Sequence, residues 1–167
     1  YGTTAANFLE IGVGSRATSM GDAYVAVAND VSSIYWNPAG LSNVSNSSAL
    51  FMVQPWLVDI DMLFAGGAVV VPNVGVLGLG ITHLDYGEMD VTNLEYQDGT
   101  GERFGASDMA ATFTFSRKIV SWFSFGSSMK YISSNIWHSS ASAFAVDLGV
   151  LVNTKFFSFT GNDKDGM

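Results

Sequence analysis

Hydrophobic and polar residues alternate along most of the chain after Asn46. The alternation is clearest in three segments, where apolar residues share one phase and polar or small residues share the other. The apolar positions are Met109, Ala111, Phe113 and Phe115; Phe123, Phe125, Met129 and Tyr131; and Phe144, Val146, Leu148, Val150 and Val152. Successive side chains of a strand point to opposite faces of a sheet, so this period of two predicts β-strands.

Glycine, proline, asparagine and aspartate separate the alternating segments, as expected for antiparallel strands joined by turns. We predict about seven strands in all. Their bounds are Ser47 to Gln54, Ile60 to Val71, Gly75 to Tyr86, Phe104 to Lys118, Trp122 to Ile132, Ala141 to Asn153 and Phe156 to Thr160. Tight turns are predicted at Pro72-Asn73, Lys118 to Ser121 and Asn153-Thr154, and longer polar links at Gly87 to Glu102 and Ser133 to Ser140. Short turns at one end and long loops at the other are typical of outer-membrane barrels.

The residues ahead of the strands follow a different pattern. The stretch from Ala17 to Ile34 is rich in alanine and other small residues. Four of its residues are spaced like one face of a helix: Met20, Ala23, Val27 and Val31. We expect one or two short helices here, ending at Asn37, because a residue before proline is pushed out of the helical conformation. The chain thus divides into an N-terminal segment, residues 1–45, and a strand region, residues 46–167.

Composition excludes several functions. Hydrophobic residues make up 48% of the chain and charged residues 13%. No apolar run approaches the ~18 residues of a transmembrane helix, so the apolar content must lie in strands. A net charge of -8 with only 7 Lys and Arg residues argues against nucleic-acid binding, which depends on clustered positive charge. The absence of cysteine excludes disulfides and thiolate chemistry.

Alternation alone does not decide whether the apolar face contacts lipid or a protein core, because a soluble β-sandwich has the same pattern. Two features favour lipid. Several predicted strands are longer than the usual globular strand. Aromatic residues such as Phe123, Tyr131 and Trp137 also begin or end the apolar segments, as in the girdles of membrane barrels.

The segment from Phe8 to Leu41 reads FLEIGVGSRATSMGDAYVAVANDVSSIYWNPAGL. It resembles the N-terminal signature of the PorV/PorQ family, relatives of the FadL-type long-chain fatty-acid transporters. The matching elements are F-L-x-I-G-x-G-x-R-A, A-(Y/F)-V-A-x-A-x-D and W-N-P-A-G, and a looser similarity continues through EMDVTNLEY, DGTGERF, FSFGSSMKYI and AFAVDLGVL. The resemblance implies an all-β protein, an antiparallel transmembrane β-barrel with an N-terminal helical hatch folded into it.

This resemblance also implies a hatch motif, which we define by these residues: Gly12, Gly14, Arg16, Gly21, Asp22, Asp30, Trp36, Asn37, Pro38 and Gly40. Glycine allows close backbone approach, and Asp or Asn side chains can hydrogen-bond backbone groups that no sheet satisfies inside a barrel. The alternative interpretation is that these polar residues only cap helices and turns.

The number of strands raises a difficulty. An eight-stranded barrel is filled by its own side chains, so a barrel that holds a hatch needs more strands than this sequence supplies. The missing strands would leave two unpaired sheet edges. Three interpretations stay open: the natural chain continues past Met167, other subunits complete the sheet, or a short form assembles into a polymer. Continuation is favoured, because the polar ending GNDKDGM is typical of a loop.

Motifs for catalysis or cofactor binding are weak. His83 and His138 lie in separate segments without an acidic pair at ligand spacing, so neither a metal centre nor a catalytic triad is indicated. The glycines of GVGSRATSMG are not followed by the Lys-Ser/Thr pair of a phosphate loop. We therefore expect neither enzymatic activity nor a cofactor. Asn43 and Asn46 each begin an N-x-Ser sequon, which would be incidental in a bacterial outer membrane.

Acidic residues crowd the link between two predicted strands: Asp85, Glu88, Asp90, Glu95, Asp98 and Glu102. Oxygen ligands at this density can hold calcium, and Asp85, Glu88 and Asp90 are the candidate ligands. Their spacing fits no EF-hand, and a solvated extracellular loop is the favoured alternative.

Three functions follow from these observations. The first is a PorV/PorQ-like protein of the bacterial outer membrane, made with a cleaved signal peptide, that acts in type IX-like protein secretion or surface attachment. Its partners would be the lipid bilayer and exported proteins or secretion components. The second is a FadL-like channel in which an apolar small molecule contacts Tyr24, Ile34 and Trp36. The third is a subunit of an extracellular fibre or tube that adds to copies of itself through its strand edges.

Overall fold

A computed structural model of the protein describes residues 6–55, 60–92, 94, 96–97 and 100–154. The strands are β1 (Ser48–Pro55), β2 (Asp61–Val71), β3 (Gly75–Asp90), β4 (Arg103–Val120), β5 (Phe123–Ile136) and β6 (Ser139–Val152). Each strand pairs antiparallel with the next, and together they form one six-stranded sheet in sequence order. Among the described residues the sheet is open, with β1 and β6 at its edges. The predicted all-β class and six of the seven predicted strands are confirmed, and the strand at Phe156 to Thr160 lies outside the described residues.

The N-terminal segment contains only short helical elements. These are a 3₁₀ turn (Asn7–Glu10), helix α1 (Ser15–Ser19), helix α2 (Ser33–Trp36) and a second 3₁₀ turn (Pro38–Asn43). The single helical face expected from Met20 to Val31 is wrong, because turns occupy residues 20–27. Gly21 and Asp22 both have positive φ values, 62° and 65°, which a right-handed helix does not contain.

The two ends of the sheet have different connections. Residues 72–74 and 121–122 form tight turns at one end, which we call the short-turn end. The opposite end, the loop end, carries the long link at residues 91–102. The prediction of a second long link at Ser133 to Ser140 is wrong. Only Trp137 and His138 separate β5 from β6. Trp137 adopts a left-handed conformation with φ of 52°. The serines on either side therefore remain in the ladder, where Ser133 pairs with Ser142.

The two faces of the sheet differ in side-chain size and in cover. One face, which we call the inner face, carries small polar residues in β4 and β5, and these are buried: Thr112, Thr114, Ser116, Ser124 and Ser128. The opposite face, the outward face, carries large apolar residues that are exposed, for example Phe144 at 76% and Leu148 at 72%. A soluble sheet with one solvated face normally has the reverse arrangement, with its apolar face covered.

Strand register joins the exposed residues into one continuous apolar surface. Three successive rows cross the sheet on the outward face: Phe51, Ala65, Ile81, Ala111, Tyr131 and Phe144; Gly67, Leu79, Phe113, Met129 and Val146; and Val69, Leu77, Phe115, Ser127 and Leu148. Because a shift of one residue would turn every side chain to the other face, this agreement of phase across all six strands fixes the register.

The N-terminal segment covers the inner face. Phe8 and Val13 form a buried cluster with Met62, Phe64 and Leu84 on β2 and β3. A second cluster joins residues of α2 and the second 3₁₀ turn to the same strands nearer the short-turn end: Val31, Ile34, Leu41, Val44, Ala68 and Val76. The hydrophobic core therefore lies between the N-terminal segment and the sheet.

No helix in the described part of the chain is both long enough and apolar enough to cross a bilayer.

Candidate functional site

The hatch motif residues Asn37 and Pro38 lie directly against the inner face of β5 and β6. The strand positions beneath them are glycines. A Cβ atom at Gly126 would clash with the backbone of Pro38 and Ala39, and one at Gly149 would clash with the Asn37 amide and the Pro38 ring. The backbone of the N-terminal segment can therefore approach the sheet more closely than any other residue would permit at these two positions.

The Asn37 side chain joins three parts of the protein. Its Nδ2 donates to the backbone oxygens of Val25, at 3.0 Å, and Val150, at 3.3 Å. Its Oδ1 accepts from the backbone N–H of Ala39 at 3.0 Å, which caps the second 3₁₀ turn. Ser116 adds a bond from β4, because its hydroxyl donates to the Ala39 oxygen at 3.1 Å. The W-N-P-A-G element therefore forms hydrogen bonds with β4 and β6, in addition to the bond that caps the second 3₁₀ turn.

Asp30 organises the turn that precedes α2. Its Oδ2 accepts from the Tyr24 hydroxyl at 3.0 Å and forms an ion pair with Arg16 at 3.2 Å, while its Oδ1 accepts from the Ser32 N–H at 2.9 Å. Burial, and next the hydrogen bond to Asp30, raise the pKa of Tyr24 above its usual value. Arg16 also lies 5.4 Å above the Tyr24 ring. The ion pair is largely solvated and contributes little by itself, so the role of this cluster is to fix the local conformation.

Tyr35 and Trp36 tie the start of the N-terminal segment to α2. The Tyr35 hydroxyl donates to the backbone oxygens of Leu9 and Ile11, the latter at 2.8 Å. The indole N–H of Trp36 donates to the Val13 oxygen at 2.8 Å. Burial, with a smaller contribution from the carboxylates of Asp22 and Glu10, raises the pKa of Tyr35 well above its usual range. These bonds satisfy carbonyl groups that lie outside any regular helix or strand.

The remaining hatch motif residues permit close contacts within the segment. A Cβ atom at Gly12 would clash with the Asp22 carboxylate, and one at Gly40 would clash with the Ala28 oxygen. Gly14 has a φ of 95°, and its N–H donates to the Met52 sulfur at 3.2 Å. Gly21 differs, because a Cβ atom there would meet no other atom within 4 Å. The other contacts of the motif extend as far as the sheet.

Of the three residues predicted to contact an apolar ligand, Tyr24 and Trp36 lie together, with ring centroids 6.3 Å apart, and Ile34 lies in another cluster. Tyr24 belongs to a buried cluster with Ala17 and Ala28, against which Trp36 packs. Ile34 belongs to the cluster that contains Val31. Tyr24 and Ile34 are both about 1% exposed, so protein atoms cover them in this conformation. A ligand in contact with all three would require the N-terminal segment to move.

A polar network on the inner face is the feature that sequence reasoning missed. Thr114 and Ser128 share a buried hydrogen bond of 2.7 Å, and Lys130 forms an ion pair with Asp147 at 2.6 Å. In the sequence, alternation places all four side chains in the polar phase of their strands. This phase was the only sign that they share a face. Their contacts depend on register, because Thr114 pairs with Ser128, and Ser128 in turn pairs with Asp147.

The candidate calcium ligands Asp85, Glu88 and Asp90 lie at the loop end of β3, not in the link, and do not converge on a cation site among the described residues. Glu88 and Asp90 both contact Arg103, at 3.3 and 3.0 Å. Asp85 accepts from the Gly87 N–H at 3.0 Å. Within the described ranges, no three His, Asp or Glu side chains gather into a possible metal site. The neighbouring Glu95 and Asp98 lie outside these ranges.

The two histidines lie in different parts of the protein. His83 is on the outward face of β3, opposite Met109. His138 stacks on Trp137 at the loop end, with ring centroids 4.7 Å apart.

The sequence matches no protein-family model and no curated protein.

Proposed function

We propose that this chain forms part of the wall of a transmembrane β-barrel whose lumen the N-terminal segment closes. The observation that supports this proposal most strongly is the distribution of side chains on the sheet. Large apolar side chains are exposed on every strand, while small polar ones are buried under the N-terminal segment. In water such an exposed surface would be an aggregation hazard. In a bilayer it contacts acyl chains, and the polar inner face surrounds the lumen.

The dimensions of the apolar surface support this proposal. On β6 it extends from Phe144 to Val152. At about 3.4 Å per residue this is about 27 Å along the strand. A strand tilt of about 40° reduces that to about 20 Å along the membrane normal, which is comparable with the band of about 25 Å in outer-membrane barrels. Aromatic pairs lie near its ends, namely Trp122 with Phe123 and Tyr131 with Phe144.

Cysteine labelling tests the membrane proposal directly, because the chain has no cysteine of its own. Val146→Cys and Ala145→Cys place an environment-sensitive dye on adjacent residues of β6, on the outward and inner face respectively. In phospholipid vesicles, spin-labelled acyl chains should quench the dye at position 146 strongly and the dye at position 145 weakly. Equal quenching at both positions, or none at either, would refute the proposal.

We propose further that the protein is non-enzymatic and has a PorV/PorQ-like role in protein secretion or surface attachment at the bacterial outer membrane. Two observations support this role. Residues 8–41 resemble the N-terminal signature of that family, and Asn37 and Pro38 pack closely against the inner face of β5 and β6. A photo-crosslinker at Glu102, at the loop end, should then capture exported proteins in cells, while one at Asn73, at the short-turn end, should not. Capture from both ends, or from neither, would count against this role.

The open sheet favours assembly through strand edges as a second candidate function. In the described chain, β6 presents an unpaired edge of 14 residues, whereas β1 at the other edge has only 8. An unpaired edge can add a strand from another copy. Long particles in detergent-free supernatant would support this function. Heat-modifiable migration of the protein on a detergent gel would instead support a closed barrel.

A further inference from the structure

Two cations at the short-turn end of the sheet have no ion-pair partner among the described residues. Arg117 and Lys118 are both exposed near the end of β4, and no described carboxylate forms an ion pair with either of them. The surrounding sequence is nearly free of acidic residues. No Asp or Glu occurs between Met62 and Leu84 or between Met109 and Val146. The described residues at this end therefore carry positive charge in a chain whose net charge is -8.

A groove of about 380 Å³ lies beside these cations. It is formed by the turn between β2 and β3, the end of β4 and the end of the N-terminal segment. Its lining includes Ser42, Asn73, Gly75, Arg117 and Lys118. Gly75 has a φ of 145°, and a Cβ atom there would clash with the backbone oxygen of Ser116. Glycine at position 75 therefore allows β3 to approach the end of β4 closely beside Arg117.

Arg117 connects this groove, which several inner-face residues line, to the outward apolar surface, and Lys118 follows it at the strand end in the opposite phase. Arg117 has the same phase on β4 as Phe113 and Phe115, and it is paired with Phe125 on β5. Exposed Trp122 lies in the adjacent turn. Arginine and tryptophan at the end of an apolar surface are typical of the level of lipid headgroups. An amphipathic molecule whose polar group reaches Arg117 would therefore have its apolar part along the outward face of the sheet.

We propose that Arg117 and Lys118 bind the phosphate of an anionic phospholipid whose acyl chains lie along the outward face of β3, β4 and β5. Arginine offers a planar pair of donors to phosphate oxygens, and lysine adds a mobile positive charge. The proposal rests on the membrane location proposed above. It also assigns the lipid to one leaflet, because the loop end carries the acidic residues Asp85, Glu88 and Asp90 and would repel the same headgroup.

Native mass spectrometry of the full-length protein in detergent tests this site. Phosphatidylglycerol and phosphatidylcholine are added in equal amounts, and retained lipid is counted. We expect a preference for phosphatidylglycerol on the order of tenfold, since each cation near an anionic lipid strengthens binding severalfold. The double variant Arg117→Gln/Lys118→Gln should lose this preference. Arg103→Gln is the matched control, because it removes a cation from the opposite end, and it should keep the preference.

A competition experiment distinguishes a bound phospholipid from a free anion. Inorganic phosphate in excess should leave the phosphatidylglycerol bound, because the acyl chains supply part of the affinity. Displacement by inorganic phosphate would overturn the lipid assignment in favour of a free anion. Equal retention of both lipids by the wild-type protein, or an unchanged preference in the double variant, would overturn the site itself. Failure of the membrane proposal is detected independently, by the loss of lipid quenching at position 146.

Discussion

At the scale of single residues, Asn37 shows why an amide is needed between the N-terminal segment and the sheet. Its Oδ1 accepts from Ala39, while its Nδ2 donates to Val25 and Val150. A carboxylate could replace only the first of these bonds, because it has no proton to donate when ionised. The residue therefore does more than end a helix, and its side chain bonds backbone groups of the kind that the hatch motif suggested, although the partner on β6 was not predicted.

Gly126→Ala should loosen the N-terminal segment. The added methyl group has no space beneath Pro38 and Ala39, and forced overpacking of this kind costs about 1–3 kcal/mol. Thermal unfolding and limited proteolysis of the N-terminal segment measure the effect. Gly67→Ala is the matched control on the outward face, where the nearest atom, the Ser48 oxygen, would be 3.9 Å from the new Cβ. Equal stability of the two variants would contradict the proposed close approach.

Alkaline pH should detach the N-terminal segment through Tyr35. Burial raises its pKa in the folded protein above the value of about 10 in unfolded chains, so folding favours the neutral phenol. The resulting stability is fully present below about pH 10 and is lost as the pH rises from there towards the folded-state pKa. Tryptophan fluorescence during titration from pH 8 upwards reports the change. Tyr35→Phe should flatten this pH dependence, and an identical profile in both proteins would contradict the assignment to Tyr35.

At the scale of the elements, period-two alternation was sufficient to locate the strands but not their connections. The six described strands agree with the predicted bounds within a few residues, since side-chain phase is a local property of the sequence. The turn at Trp137 and His138 was missed because serine is common in both strands and loops. The contacts of Lys130 with Asp147 were missed because they depend on pairing between strands. Conversely, the spacing from Met20 to Val31 suggested one helix, but the positive φ values of Gly21 and Asp22 interrupt it.

Leu79→Arg in β3 distinguishes a lipid-facing strand from a solvent-facing one. Leu79 is 65% exposed near the middle of the outward face. In a bilayer, arginine at such a position costs about 2–4 kcal/mol. On a water-exposed surface, the same change would alter stability by only about 0.5 kcal/mol. Equilibrium unfolding in lipid vesicles gives the value. Met89→Arg, at the loop end of the same strand, should cost at most about 1 kcal/mol.

At the scale of the whole molecule, the N-terminal segment separates a polar inner face from bulk solvent. If the barrel proposal is correct, deletion of residues 7–44 should open a polar lumen, because the inner face beneath carries Thr112, Thr114, Ser116 and Ser128. We expect the deleted protein to conduct ions across a planar bilayer and the intact protein to conduct few. Heat-modifiable gel migration serves as the control for folding of the deleted form. Equal conductance of the two proteins would show that the segment does not close the lumen.

The bond between Asn37 and Val150 has a consequence for the order of assembly. It joins residues 113 positions apart in the chain, so it cannot form until nearly all of the described strands have been synthesised. Until then the segment can pack only on earlier strands, as Phe8 and Val13 do on β2 and β3. Attachment of this segment to β6 is thus a late folding event, because it joins residues far apart in the sequence.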